Sequence, residues 1–255
     1  MNFRDFLQNN IVYLDGGMGT LLQERGLRPG ERPEAWNLTH PEIIEEIHRA
    51  YYDAGSNVVS TNTFGLNPLK FSDSELEETL IAAIKCANAA RVSTKNKKEK
   101  FIALDIGPSG KLLRPYGDLD FEDAVEVFAK TVRLGVKYGV DLILIETMND
   151  SLETKAALLA AKENSVLPVI VTNAYGEDGK LMTGASPAAM VALLEGMGAK
   201  SRPFRQRILR KPPCGYGHLL RLGAHLLAER STAVGKRRDR ERHDHQRERC
   251  HHPFG

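Results

Sequence analysis

The chain has 255 residues, 42% of them hydrophobic, with 35 Lys+Arg against 33 Asp+Glu and a formal net charge of +2. That length suffices for one large α/β domain with its own core. Three scattered cysteines (Cys86, Cys214, Cys250) make no disulfide framework, no stretch approaches the roughly 18 apolar residues that span a bilayer, and MNFRDFLQNN has no signal-peptide core, so a protein of the cytoplasm is expected.

Apolar runs at 11–15, 57–62, 101–106, 141–146 and 168–173 are the expected strands. Leu142-Ile143-Leu144-Ile145 and Val169-Ile170-Val171 are continuously apolar, as strands covered on both faces should be. Longer amphipathic stretches separate the runs. Thr39…Glu42, Ser74…Glu77 and Asp150…Glu153 have capping-box spacing, and Ser186-Pro187 pairs a cap residue with a proline at the first helical position. After the third run, Val125, Phe128, Val132 and Val136 recur every three to four residues and predict one buried stripe. Five β-then-α units in series call for parallel strands with right-handed crossovers. Either a (β/α)8 barrel or an open doubly wound sheet would satisfy that, and the strand ends favour the barrel. Four runs close on Asp15, Asn62, Glu146 and Asn173, and the other on Asp105-Ile106-Gly107; polar groups at the carboxyl ends of apolar strands are what a barrel's catalytic rim needs.

The loops after these strands carry the chemistry. Asp15-Gly16-Gly17-Met18-Gly19-Thr20 follows the first strand, where glycines let backbone amides face an anionic group; it is neither a P-loop nor GxGxxG. Thr61-Asn62-Thr63-Phe64-Gly65, Asp105-Ile106-Gly107-Pro108-Ser109-Gly110, Ile145-Glu146-Thr147-Met148-Asn149-Asp150 and Thr183-Gly184-Ala185-Ser186-Pro187 follow in order. Glu146 places a carboxylate where a strand meets its loop, a position costly to bury without a partner. Each loop taken singly is compatible with ordinary turn chemistry.

Taken together, residues 5–199 resemble the homocysteine S-methyltransferase family, and within it the N-terminal homocysteine-binding modules of cobalamin-dependent methionine synthases. The resemblance implies a (β/α)8 TIM-barrel type domain that moves a methyl group onto the homocysteine sulfur to give methionine. It also implies zinc held by three cysteine thiolates, which deprotonates the bound thiol. By position it assigns homocysteine binding to Asp15, Gly16, Gly17, Asn62 and Glu146. Carboxylates (Glu146, with Asp15) would take the ammonium, amides of the glycine loop the carboxylate, and Asn62 would line the same rim. Cobalamin and folate would enter only through other modules, and the methyl donor is left open.

The character of the chain changes near Lys200. Residues 1–199 hold 20 Lys+Arg against 28 Asp+Glu, whereas 200–255 hold 15 against 5 with six of the eight His. The family's Gly-x-Asn-Cys and Gly-Gly-Cys-Cys motifs, which would supply the zinc ligands, are absent. Cys86 is expected to be a packed helix residue. Cys214 matches no motif, and the His243, His245, Cys250, His251, His252 cluster has no zinc-site spacing. Residues 200–255 are therefore expected to be a disordered, out-of-frame translation of the same coding region, leaving residues 1–199 as a partial barrel inactive in methyl transfer. Ser201–Gln206 can be encoded so that the frame one base later reads Ala-Val-Arg-Phe-Gly-Asn. The alternative is a non-catalytic protein whose Lys236–Arg242 run binds nucleic acid, a reading the absence of interleaved aromatics argues against.

Overall fold

The five apolar runs pair side by side in chain order. The structure, a computed structural model, describes residues 1–199 and a short strand at 209–210. Strands β1 (Tyr13–Leu14), β2 (Val58–Ser60), β3 (Phe101–Ile106), β4 (Leu142–Met148) and β5 (Val169–Asn173) are all parallel and neighbour one another in sequence, and β6 (Leu209–Arg210) pairs with β1 on its other side. From β1 to β5 the order never reverses, so the sheet has no switch point between these strands of the kind a doubly wound fold carries. This is the winding of a (β/α)8 barrel, present as a curled partial barrel. Within Met1–Gly217, which forms one compact unit, the sheet is the centre; His218–Gly255 lies outside the described residues. So do the tail cysteines, histidines and basic run.

Alternation along each strand divides the core in two. Val59, Ile102, Leu104, Ile106, Ile143 and Ile145 face the helical layer. Leu14, Val58, Phe101, Ala103, Leu142 and Leu144, with Ile170 against them, form a second cluster on the other, concave face. Both faces are therefore buried, which is why Leu142–Ile145 reads as an unbroken apolar run. The concave face is filled by a helix outside the five units. Helix α1 (Phe3–Asn9), capped by Asn2 accepting from the Asp5 amide at 2.9 Å, presents Phe3 and Phe6 to the Phe101 ring at centroid distances of 5.1 and 5.3 Å. Phe101 opens β3, so α1 closes the barrel at the amino ends of its strands.

Three local expectations need correction. Helix α4 (Pro41–Asp53) is preceded at its cap by His40; Thr39 instead donates to the Ala35 carbonyl, ending α3 (Trp36–Thr39), and between β1 and α3 lie α2 (Gly19–Glu24) and a 3-10 turn over Pro33–Ala35. Helix α5 (Asp73–Ser93) starts with a full capping box of Ser72 and Glu75 rather than Ser74 and Glu77, because Glu77 is claimed by Lys137 and Tyr138 of α6 (Phe121–Tyr138). On α6 itself the buried stripe is Ala124, Phe128, Val132 and Gly135, leaving Val136 39% exposed. Gly135 shifts the stripe: a Cβ there would sit 2.6 Å from Leu104, so the helix rides directly on β3. Ser186 caps α8 (Pro187–Gly196) as expected, accepting from the Ala189 amide. No helix among the described residues is long and apolar enough to cross a membrane.

His48, on the buried face of α4, is 0% exposed, and neither ring nitrogen has a hydrogen-bond partner among the described residues. Burial lowers its pKa from 6.5 to about 4, so the folded chain holds it neutral. Between these two values the unfolded chain takes up a proton that the native chain refuses. The native state therefore loses stability as pH falls from about 6.5 to about 4, by about 3 kcal/mol in all at 1.36 kcal/mol per unit, and loses no more from this residue below that. Urea unfolding from pH 7 to 4 should show this decline, and His48→Leu should remove that component of it.

Candidate functional site

The carboxyl ends of the strands and the loops that follow them carry most of the buried polar residues of the sheet. Asp15, one residue beyond β1, is buried, and both of its oxygens are engaged from β2. Oδ2 accepts from the Ser60 amide at 2.7 Å and Oδ1 from the Ser60 hydroxyl at 2.9 Å. Since β1 is two residues long and meets β2 in register only at Leu14–Val58, this bidentate link is a principal tie between them. Gly16 lies under the Tyr51 ring of α4; a Cβ there would come within 2.7 Å of the phenol oxygen, which itself donates to the Gly17 carbonyl at 3.1 Å. Gly17 has more room, its nearest contact being Thr20 at 3.5 Å. Among the described residues no acceptor meets the amides of Gly16 or Gly17.

Asn62 is buried at the rim, but its amide group donates to the Pro33 carbonyl at 2.8 Å and its own carbonyl accepts from Asn37. It fastens the segment between α2 and α4 onto the loop after β2. Beside it, Thr61 and Thr63 share a 2.7 Å hydroxyl contact and clasp Asp105 through its amide and carbonyl, so the loop is stitched to β3. Gly107 is required here, since a Cβ would meet the Phe64 ring at 2.6 Å.

Glu146 stands at a break in the sheet. Register runs from Ile145–Val171 directly to Met148–Asn173, so Glu146 and Thr147 together oppose the single residue Thr172. This is a β-bulge, uncommon between parallel strands and a known way to re-aim a side chain. Thr147 takes the extra position at φ 60°, the only non-glycine at positive φ among the described residues, and its amide donates to the Thr172 hydroxyl at 3.1 Å. Leu142 and Leu144 are on the concave face, which puts Glu146 on the concave face by alternation. Met148, which unbroken alternation would also place there, packs in the helical layer instead.

Two buried carboxylates were not apparent from the sequence. Glu34 accepts from the Gly65 amide at 2.7 Å across 31 residues. Glu153, flagged only as half of a capping box, does not reach back to Asp150. Asp150 caps α7 (Ser151–Asn164) alone by accepting from Leu152 and Glu153, while Glu153 accepts from the amide and hydroxyl of Ser109. Burial holds the Glu153 pKa above the usual carboxylate range, against the pull of the Ser109 bonds. Among the described residues no three His, Cys, Asp or Glu side chains converge as metal ligands would. Cys86, the one cysteine among them, is buried in α5 with its thiol pushed up to about 11 by burial, the state of a packed side chain. The residues described thus do not fit a thiolate-held metal.

A model of the family described as homocysteine S-methyltransferase matches residues 12–203. Crystal structures of the Escherichia coli homocysteine methyltransferase MmuM have the same fold. Its metallated form aligns with a TM-score of 0.66 at 22% identity over 76% of this chain and 73% of that one. The oxidised form gives 0.66 at 22% over 77% and 73%, and the apo form 0.61 at 21% over 76% and 71%. At that identity the likeness establishes the fold.

Removing the Glu153 carboxylate should strand the Ser109 amide. Glu153→Ala is expected to cost about 2 kcal/mol in urea unfolding, the penalty of a buried donor left without an acceptor, whereas Glu153→Gln keeps an acceptor oxygen and should cost under about half of that.

Proposed function

Because the chain belongs to the homocysteine S-methyltransferase family, we propose that its rim binds L-homocysteine by the amino-acid end, with the Glu146 carboxylate taking the ammonium and the amides of Gly16 and Gly17 the carboxylate. The observation that supports this reading is the place of Glu146 at the mouth of the barrel, on the concave parity of Leu142 and Leu144 and next to the bulge. A charge-assisted bond from an ammonium to a carboxylate is among the stronger polar contacts, and amides left without acceptors suit an anion. Asp15 braces this site, its two oxygens accepting from the amide and hydroxyl of Ser60. Asn62 likewise shapes the rim by holding the Pro33 backbone.

In the reaction the family resemblance implies, the homocysteine sulfur would take the methyl group as a thiolate, and zinc held by three cysteines would favour its deprotonation. The described residues contain no such set, and the chain's cysteines fall in none of the family's ligand motifs. We infer a chain that binds the amino-acid end of the substrate and does not transfer the methyl group, with residues 200–255 read out of frame. The abrupt change from Lys and Glu to Arg, Pro and His at Lys200 supports that inference. Sequencing the gene tests it: a shifted frame downstream of codon 200 should encode Gly-Gly-Cys-Cys, and its absence would remove the explanation.

Isothermal titration of the full chain with L-homocysteine tests the binding itself. Glu146→Gln should weaken binding by about tenfold or more, the loss of a charged partner worth about 1.5–3 kcal/mol. Unchanged affinity in that variant would refute the ammonium role.

A further inference from the structure

We propose that Thr147 and Thr172 are positioning residues for the Glu146 carboxylate, which takes the substrate ammonium. The hydroxyl of Thr172 holds Thr147 in the left-handed region, and that conformation is what aims Glu146 into the barrel. This inference rests on the homocysteine-binding role of Glu146 and goes beyond it, since neither threonine need touch the substrate.

The argument starts from geometry. Two residues of β4 face one residue of β5, so some residue must absorb the extra length, and it does so at φ 60°. A β-branched side chain is among the least suited to that conformation, because its Cβ substituents crowd the backbone. Glycine would hold it without strain, as it does at the other positive-φ sites. A strained backbone persists where its surroundings over-determine it. Here the constraint is visible: the Thr147 amide has left the backbone ladder and bonds to the Thr172 hydroxyl at 3.1 Å. On the far side Met148 is fully buried in the helical layer and Asn173 donates to the Met148 carbonyl at 3.2 Å, so the strand is fixed again immediately beyond the bulge. Between Ile145 and Met148, both locked in the outer core, only the Glu146–Thr147 peptide can vary. Two ways of spanning that gap exist. In one, Thr147 stays left-handed and Glu146 keeps the inward parity of Leu142 and Leu144. In the other, Thr147 relaxes to an extended conformation and the Glu146 side chain turns away from its place. The Thr172 hydroxyl selects the first, and it comes from β5, the strand whose residue sits opposite the bulge.

The experiment combines homocysteine titration of the full chain with thermal unfolding as a check on folding. Thr172→Val removes the hydroxyl while keeping shape and should weaken homocysteine binding by about tenfold, a misaimed carboxylate counting nearly as much as a missing one. Thr172→Ser keeps the oxygen and should bind as the parent does. The decisive variant is Thr147→Gly in the Thr172→Val background. Glycine adopts the left-handed conformation unaided, so binding should return to within about threefold of the parent, although the hydroxyl is still missing. Absence of homocysteine binding by the parent chain, or full binding by Glu146→Gln, would defeat the binding role itself and this inference with it. Full binding by Thr172→Val, beside weak binding by Glu146→Gln, would overturn the positioning role alone. So would a double variant as weak as Thr172→Val, which would make the hydroxyl a direct substrate contact. If Thr172→Val does not fold, recovery of both folding and binding in the double variant supports the proposal, and a double variant that also fails to fold overturns it.

Discussion

A sheet that curls through five parallel strands encloses a concave face its own crossover helices cannot reach, and that face must be filled from elsewhere. In this chain it is filled in two chemically opposite ways. Toward the amino ends of the strands, Phe3 and Phe6 of α1 meet Phe101 and close an apolar floor with Leu14, Val58, Leu142 and Leu144. Toward the carboxyl ends the lining turns polar, with Ser60, Asp105 and Glu146 continuing the same inward alternation. The site follows from this division. With an apolar floor among the described residues, charged groups at the rim have a defined side from which a ligand can arrive.

The acidic residues around that rim do different work. Asp15, Glu34 and Glu153 each accept from a backbone amide of another unit, Ser60 at the end of β2, Gly65 and Ser109 respectively. They act as cross-braces between the rim segments. Each brace joins consecutive units of the barrel, so the rim behaves as one connected frame rather than a set of independent turns. Glu146 differs in that its own strand is distorted to place it.

Much of this was readable from the sequence, and the remainder was hidden for identifiable reasons. The run at 101–106 became β3 without change, because both of its faces are buried and every residue has to be apolar or paired. The run at 11–15 shrank to two residues, and Asp15 just beyond them donates its amide to the Val58 carbonyl at 3.0 Å while its side chain takes up Ser60. Helix α1 carried too short a pattern, with two phenylalanines in seven residues, to be distinguished from a loose terminus. The start of α5 offered two overlapping Ser-x-x-Glu boxes, and only the distant claim of Lys137 on Glu77 decides between them. At the site, the position of Glu146 was legible and its bulge was not. A bulge is a mismatch between two strands, and neither strand alone contains it. The engagement of Asp15 by Ser60 was hidden in the same way, across 45 residues.

The floor of the barrel also has a bearing on how the chain assembles. Helix α1 is synthesised before any strand of the sheet, yet its aromatic partner opens the third strand, nearly a hundred residues further along. Until β3 has been synthesised, the two phenylalanines have no surface to cover. Contacts of such long sequence separation close late, because the chain must first give up the entropy of the intervening loop. The walls are therefore raised before the floor, and helix α1, made ahead of the strands it covers, is among the last parts of the barrel to become ordered.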